Sequence, residues 1–314
     1  MAKKTQNKRG IKTIEQATKD FLEQSRQKLK ESTFSRYSFI CERHIIPYFK
    51  DMELNNLDDE AVNNFIQDKL NNGGLTGKPL SPKTVNDMTC VLLQIVKDYC
   101  KLGDDIEKPS YKQNDVNIFT ETEYNQLKAY LSIGVDNKKL GIIVAMLTGI
   151  RIGELCALTW RNIDLDNGII FINKTMQRVK NTDATKKAKT KIIIDNPKSN
   201  ASMRKIPIPE ILLNKLKGFK SKESTYLLTN TTDYIEPRIY QRHFKACLQE
   251  CTIKDNNFHT LRHTFATLAI SRGVDIKTVS ILLGHTDVAF TMKRYVHPNM
   301  EHKRLQIEKL AIDF

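Results

Sequence analysis

Apolar residues recur three and four positions apart through most of the first hundred residues, which is the spacing of one face of an α-helix. This pattern predicts four helices. The first opens at Thr13 with capping-box spacing and runs to about Lys30. The others run from about Thr33 to Ile46, where Pro47 is expected to stop the helix, from a cap at Asp58, and from Ser81-Pro82. The first hundred residues are therefore predicted to form a small all-helical domain.

The pattern changes after a polar stretch without periodicity. Residues 140–147 are apolar on every face, as expected of a helix at the centre of a core. Short β-rich runs follow at 168–172, 190–195 and 203–208, and the helical pattern returns from Glu236. We therefore expect a mainly α fold with a small β-sheet (α+β). The predicted divisions are a basic disordered tail (1–12), a helical domain (13–102), a linker (103–117) and a larger second domain (118–314).

The amino-acid composition indicates which kind of molecule the protein binds. The 314 residues include 50 Lys and Arg against 36 Asp and Glu, a formal net charge of +14. Such an excess favours a polyanion, although it also occurs in proteins that are merely soluble. None of the six cysteines forms a C-x-x-C pair, so we expect reduced thiols in a cytoplasmic protein. The longest apolar run is too short for a membrane span, and no secretory signal follows the basic N-terminus.

Candidate chemistry lies in the second half of the chain. Arg151 stands in Thr-Gly-Ile-Arg-Ile-Gly-Glu-Leu, and the run His259-Thr-Leu-Arg262-His263 supplies a second guanidinium. Two arginine forks suit the non-bridging oxygens of one phosphodiester. His285 ends Leu-Leu-Gly-His, and Tyr295 follows ten residues later. A phenol is a poor nucleophile at neutral pH unless positive charge and acid/base groups assist it.

These motifs, together with Lys198 before Arg-Lys-Ile-Pro, resemble the tyrosine recombinases, the phage-integrase family of site-specific DNA recombinases. The resemblance runs from about residue 13 to the C-terminus, and the order of the motifs makes it specific. It implies a core-type DNA-binding domain followed by a catalytic domain. It also implies cleavage and rejoining of DNA through a 3′-phosphotyrosyl intermediate, without metal, ATP or any other cofactor.

The resemblance assigns roles around the phosphate. Arg151 and Arg262 would bind the scissile phosphate, and His285 would donate a hydrogen bond to it. If His285 were judged from the Gly-His sequence alone, the better interpretation would be a histidine that packs in the core or caps a helix. The alternative for Arg151 is a structural ion pair with Glu154. Both roles of Arg151 are compatible if Glu154 orients its guanidinium towards the phosphate.

The same resemblance makes Tyr295 the nucleophile and His259 the general acid/base acting on its hydroxyl. Lys198 would protonate the departing 5′-oxygen, with Lys189 and Lys191 as rival candidates. Ten Lys or Arg residues lie between positions 174 and 205, and most of them are expected to face solvent or the DNA backbone.

A metal site is the competing interpretation of two histidines four residues apart. His259 and His263 lack the glutamate of an H-E-x-x-H motif, and Arg262 between them would repel a divalent cation. We therefore expect no metal. His263 is interpreted as a hydrogen-bonded structural residue, and His297 as part of the sequence flanking Tyr295.

The expected partners are double-stranded DNA and a homotetramer on paired recombination sites, with no membrane. Residues 301–314 form a plausible apolar-faced helix that could dock on a neighbouring subunit or fold back on its own domain. Few residues precede the helical domain, so control through distant arm-type DNA sites is doubtful. Integration or excision of a mobile element is favoured. Chromosome-dimer resolution, a type IB topoisomerase, a metal-dependent nuclease and a catalytically idle DNA-binding regulator remain alternatives.

Overall fold

The computed structural model describes residues 12–74, 77–111, 116–181, 188–197, 200–295, 300, 304, 307 and 308. The chain divides into two compact units, drawn from residues 1–114 with 179–191, and from 115–178 with 192–314. The predicted tail lies outside the described residues except for Lys12. The domain boundaries expected from the sequence stay a prediction.

Helices make up the first unit. They are α1 (Ile14–Lys28), α2 (Glu31–Ile40), α3 (Ile46–Phe49), α4 (Asp59–Asn72) and α5 (Pro82–Val96). The predicted caps are present, because the side chains of Thr13, Asp58 and Ser81 each accept a hydrogen bond from the first turn of the following helix. Apolar side chains from these helices form one core, which includes Ile45, Phe65 and Leu92.

The second helix does not stop where the sequence suggested. The chain passes from α2 through a π-helical turn, Cys41–Ile45, and then into α3, in which Pro47 occupies the first turn. A proline lacks an N–H, but the first turn of a helix needs no such donor. The π-helical turn follows α2 directly and leads into Ile46, so Pro47 lies in the first turn of α3 rather than ending a helix.

The second unit combines helices with short strands. Its helices are α6 (Glu121–Ser132), α7 (Asn137–Thr148), α8 (Ile152–Cys156), α9 (Glu210–Phe219), α10 (Pro237–Glu250), α11 (His259–Ser271), α12 (Ile276–Leu283) and α13 (Val288–Tyr295). As predicted, α7 is almost wholly buried, and it packs against α11, the helix that begins at His259. The core formed around α7 includes Leu140, Val144 and Phe244.

The strands are β1 (Ile163–Asp164), β2 (Ile169–Ile172), β3 (Thr175–Lys180), β4 (Thr190–Asp195) and β5 (Arg204–Pro207). One antiparallel sheet has the order β1-β2-β5, and β3 and β4 form a separate two-stranded ribbon. In the sheet, Ile170 lies opposite Ile163 on one side and Ile206 on the other. The register also places Arg204 opposite Ile172 at the end of β5, where its side chain is buried.

A mainly helical fold with a small sheet is therefore confirmed. In the described part of the chain, no helix combines the length and the apolar character needed to cross a bilayer. All six cysteines are free thiols. Five of them are at least partly buried, and Cys90 on α5 is exposed.

Candidate active site

The side chain of Arg262 lies at the centre of the candidate site. It is only 1% exposed, and it projects from the first turn of α11. Its Nη1 donates to the carbonyl oxygen of Gly149 at 2.8 Å, and its Nη2 donates to that of Leu283 at 2.5 Å. Burial, followed by the charge of Arg151, lowers the pKa of Arg262 to about 9, which leaves the guanidinium protonated at pH 7.

Both of those carbonyls belong to helix ends. Gly149 caps α7 and Gly284 caps α12, each in the left-handed conformation with φ of 64° and 65°. Glycine suits this conformation because it has no side chain to clash with the backbone. The last carbonyls of a helix carry partial negative charge, which favours a cation. Among the described residues, two helix C-termini thus hold Arg262 without any carboxylate.

Glu154 links two further arginines. Its carboxylate accepts from Nη1 of Arg151 at 2.8 Å and from Nη1 and Nη2 of Arg204 at 3.1 and 2.8 Å. Arg151 also donates from Nη2 to the carbonyl of Gly284 at 3.2 Å. Although burial alone would raise the pKa of Glu154, its bonds to Arg204 and the charge of Arg151 bring that pKa below its ordinary value. The ion pair considered in the sequence analysis is therefore present, and a second arginine shares it.

These groups leave an excess of positive charge. Arg151, Arg204 and Arg262 surround one carboxylate, that of Glu154, among the residues that the structure describes. Arg151 remains about one third exposed, whereas Arg204 and Glu154 are buried. Burying a cation costs free energy unless opposite charge compensates it. The arrangement therefore favours an anion, and the exposed edge of Arg151 gives it access.

His285 joins Arg262 to α13. Since a guanidinium can only donate, the contact of 2.9 Å between Arg262 Nη2 and His285 Nε2 makes Nε2 the acceptor. The hydrogen of the neutral ring is then on Nδ1, which donates to Thr291 Oγ1 at 2.8 Å. Burial, with the charges of Arg262 and Arg151, lowers the pKa of His285 to about 3. In this state His285 holds Arg262, and neither nitrogen is free to donate to a phosphate.

Tyr295 is brought to the same site by α13. Its ring is 7% exposed and packs with Ala266, Val279 and Leu283. Its hydroxyl lies 2.7 Å from Nδ1 of His263. Burial raises the pKa of Tyr295, against the opposing charges of Arg262, Arg294 and Arg151. The charges of Arg151 and Arg262, the predicted phosphate ligands, thus act on the hydroxyl of Tyr295, the predicted nucleophile.

His259 lies one helical turn before His263, on the same face of α11. The two rings meet edge to face with centroids 4.6 Å apart. His259 keeps an exposed surface, so a ligand can reach it. Loss of solvation, followed by the charges of Arg262 and Arg151, lowers its pKa to about 4. The imidazole is therefore neutral at pH 7 and able to accept a proton.

Six of the predicted site residues lie close together in the structure. Arg151, Glu154, His259, Arg262, His285 and Tyr295 come together, although they are spread over 145 positions of the chain. Lys198 and His297 lie outside the described residues. Of the rival lysines, Lys189 is exposed and Lys191 forms an ion pair with Glu31 of α2.

Two contributors were not assigned from the sequence. Arg204 was noted only as part of a motif, and His263 was interpreted as a structural residue. The pairing of Arg204 with Glu154 joins positions 50 apart, and that of His263 with Tyr295 joins positions 32 apart. Only the proximity of His263 to Arg262 in the sequence could have drawn attention to it. Within the described ranges, no three His, Cys, Asp or Glu residues cluster in a way that could hold a metal ion.

Comparison with known proteins places this geometry in a family. Residues 117–302, more than half of the chain, match the phage integrase family, and residues 13–70 match the phage integrase N-terminal SAM-like domain. The ICEBs1 integrase of Bacillus subtilis (strain 168) is 24% identical over 90% of this chain and 78% of that protein. A XerC-like tyrosine recombinase of Caldanaerobacter subterraneus is 30% identical over 63% of this chain, which spans only 54% of that relative.

The fold has solved counterparts. The structure of the Tn1549 transposon integrase in complex with transposon right end DNA superposes with a TM-score of 0.74, covering 96% of this chain and 100% of that one at 20% identity. At that identity the likeness bears on the fold, and it includes both the helical N-terminal region and the region that carries the arginines and Tyr295. The chain belongs to the phage integrase family, the tyrosine recombinases.

Proposed function

We propose that this chain is a site-specific DNA recombinase that cleaves and rejoins DNA through a 3′-phosphotyrosyl intermediate. One observation carries the proposal: the hydroxyl of Tyr295 lies within the influence of guanidiniums that have, among the described residues, too few carboxylates to neutralise them. A phosphodiester supplies the missing negative charge, and its phosphorus is the electrophile that a phenolic oxygen can attack.

Phosphate binding would fall to Arg151 and Arg262. The described contacts of Arg262 with protein groups use three of its five N–H donors, which leaves donors for a non-bridging oxygen. Positive charge fixed in advance stabilises the additional charge of the pentacoordinate transition state. A bound phosphate would raise the pKa of His285, and the imidazolium form would give up its contact with Arg262 and donate from Nε2 to the phosphate. Glu154 holds Arg151 in place throughout.

Strand cleavage would begin with attack of Tyr295 on phosphorus. The bond between phosphorus and the phenolic oxygen forms as the bond to the 5′-oxygen breaks, and Lys198 is proposed to give that oxygen its proton. His259, whose neutral ring keeps an exposed surface, takes part as an acid/base group at the phosphate. Attack by the 5′-hydroxyl of a partner strand reverses the step, so the energy of the phosphodiester is conserved. The cationic side chains supply the electrostatics, and the proposal includes neither metal nor ATP.

The biological reaction proposed is integration or excision of a mobile element in the cytoplasm. The match to the ICEBs1 integrase is longer along this chain than the match to the XerC-like recombinase, which supports that choice over chromosome-dimer resolution. The partner is double-stranded DNA, with a homotetramer on paired sites. Docking of residues 301–314 on a neighbouring subunit is part of the proposal, although most of that segment lies outside the described residues.

A covalent adduct tests the central step. The purified protein is incubated with a pool of random-sequence duplexes, each carrying one nick, so that cleavage near the nick releases a short strand and traps the intermediate. We expect DNA that stays with the protein in denaturant and is released by protease. Tyr295→Phe keeps the packing of the ring but removes the attacking oxygen, and it should form no adduct. Adduct formation by this variant would refute the assignment of Tyr295.

Two further readouts separate the alternatives. A metal-dependent nuclease would lose activity in EDTA, whereas the proposed recombinase keeps it. A type IB topoisomerase would relax supercoiled plasmid of any sequence, whereas a site-specific enzyme acts on the few sequences enriched in the trapped pool. If the wild-type protein gives no adduct on any duplex but binds DNA, it is a catalytically idle regulator and the proposal fails.

A further inference from the structure

The hydroxyl of Tyr295 contacts His263, not the histidine to which the family resemblance gives acid/base work. The bond between the hydroxyl and His263 Nδ1 measures 2.7 Å, and the ring centroids lie 5.6 Å apart. No hydrogen bond joins His259 to Tyr295 among the described residues. Among the described side chains, His263 is therefore the one within reach of the phenolic proton.

His263 is also held in an orientation that suits this contact. The ring of His259 packs edge to face against it from the preceding helical turn. On the other side, α13 brings Tyr295 to Nδ1. Because Nδ1 faces a hydroxyl and Nε2 faces away from it, the neutral ring with its hydrogen on Nε2 can accept the phenolic hydrogen bond.

We propose that His263 is a catalytic residue, the base that positions Tyr295 and takes its proton during strand cleavage. This inference rests on the proposed recombinase function. As the phenolic oxygen bonds to phosphorus, its proton moves to Nδ1, while the bond between phosphorus and the 5′-oxygen breaks and that oxygen takes a proton from the general acid of the proposed function. When a 5′-hydroxyl attacks the phosphotyrosyl bond, it returns its proton to the same acid, and the imidazolium returns the other proton to the phenolate. His263 thus takes up and releases one proton in each cycle, so no further co-reactant is needed.

The electrostatic surroundings keep this base ready. The charged and titratable groups that act on His263 are His259 and Arg262 on its own helix and Arg294 on α13, with Tyr295 as its hydrogen-bond partner. Burial, followed by the neighbouring His259 and the charges of Arg294 and Arg262, lowers the pKa of His263 to about 3. The ring is thus neutral in the free protein at pH 6 to 8. A bound phosphate adds negative charge, which favours the protonated form of His263 while the phenol loses its proton.

The test compares two substitutions that differ in one property. His263→Asn places an amide oxygen near the position of Nδ1, so it can hold the Tyr295 hydroxyl but cannot take up its proton. His263→Ala removes both abilities. His243→Asn, on α10, is the matched control, because the described contacts of His243 are with Tyr240 and Cys247 and with none of the candidate site residues. Single-turnover adduct formation is measured from pH 6 to pH 9 on nicked duplexes that the wild-type protein has captured, with DNA binding measured alongside.

For a general base we expect His263→Asn to bind DNA normally but to cleave about 10²- to 10⁴-fold more slowly at pH 7. Its rate should rise by up to about tenfold per pH unit, because hydroxide must replace the lost base, whereas the wild-type rate should vary much less. His263→Ala should be at least as slow, and His243→Asn should match the wild type. A His263→Asn variant with the wild-type rate and pH profile would show a structural residue and overturn the inference.

A second readout needs no DNA. ¹⁵N NMR of histidine-labelled protein should show His263 as the Nε2–H tautomer, and Tyr295→Phe should shift its Nδ1 resonance. The Nδ1–H tautomer would contradict the inference independently of recombinase activity. Failure of the wild-type protein to form any adduct would instead count against the proposed function.

Discussion

Arg262 is a buried cation whose described partners are two carbonyl oxygens and an imidazole. None of these partners carries a full negative charge, so the positive charge remains available to a ligand. Arg204 is buried just as deeply but is neutralised by Glu154. Two arginines in similar surroundings thus have different tasks. Arg204 fixes the position of a carboxylate, and Arg262 presents charge.

Arg262→Lys should separate charge from shape. A lysine keeps the charge, but its ammonium cannot reach both carbonyls and a phosphate with the planar fork of a guanidinium. We expect adduct formation to fall about 10²- to 10³-fold, the usual loss when one transition-state donor is removed. Arg161→Lys, in an exposed ion pair with Glu223, is the control and should leave the rate unchanged. Equal rates for the two variants would contradict the role of Arg262.

The histidines make stability depend on pH. The pKa values of His259, His263 and His285 all lie below the ordinary value of about 6.5. The unfolded chain therefore binds more protons between about pH 6.5 and these lower values. Stabilisation from the neutral rings is complete above pH 6.5 and is lost progressively as the pH falls.

Urea unfolding at pH 7 and pH 5 checks this sign. We expect a lower free energy of unfolding at pH 5. In His285→Gln an amide oxygen can still accept from Arg262 but does not titrate, so the difference between the two pH values should shrink by about 1 kcal/mol, a figure reduced for the partial exposure of the ring. An unchanged or larger difference would show that His285 ionises normally in the folded protein.

The ends of α7 and α12 set the geometry of the site. A side chain at Gly149 would be strained at a φ of 64°, and its Cβ would lie 2.6 Å from Phe265 Cδ1 and 2.9 Å from Leu283 Cδ2. The carbonyl of this residue also holds Arg262. Backbone conformation and arginine position are therefore coupled at one residue.

Gly149→Ala should lower the free energy of unfolding by about 1–3 kcal/mol and slow adduct formation. Gly218→Ala is the matched control. It lies on α9 with open space around its Cα, and alanine there should stabilise the protein by about 0.5–1 kcal/mol. Both values come from thermal or urea unfolding. Equal effects of the two substitutions would mean that the left-handed cap does not matter.

Local signals in the sequence were sufficient for most helices and for the core. Capping residues such as Thr13 and Thr120 act within four positions, so their effect can be read directly from the sequence. The end of α2 could not be, because a π-helical turn depends on how Cys41 and Ile45 pack in the core. Propensity rules place Pro47 equally well at the end of one helix or in the first turn of the next.

The candidate site was predictable only as a set of side chains. The spacing of His259 and Arg262 on one helix follows from the sequence, and the family resemblance supplied Tyr295. Whether His259 or His263 contacts the phenol of Tyr295 depends on how α13 packs on α11. The local sequence does not predict this packing. The acceptor state of His285 likewise became clear only from its contact with Arg262.

At the scale of the whole molecule, the net charge of +14 agrees with a polyanionic partner. Affinity for duplex DNA should therefore fall steeply with salt. We expect the logarithm of the association constant to decrease linearly with the logarithm of the salt concentration, with a slope of about −0.9 for each phosphate contacted. Tyr295→Phe should keep the same slope because it removes no charge. Fluorescence anisotropy between about 50 and 200 mM salt measures both proteins, and binding that is independent of salt would contradict a phosphate-contacting surface.

The helix ends that surround Arg262 have one more consequence. Peptide carbonyl oxygens do not titrate over the pH range in which proteins fold, and a side-chain substitution does not remove them. The hydrogen bonds that hold the Arg262 guanidinium therefore depend on the backbone conformation. Sequence drift around the two glycines should be tolerated as long as that path survives, whereas adding or removing a single residue in either turn would displace the oxygens and release the arginine.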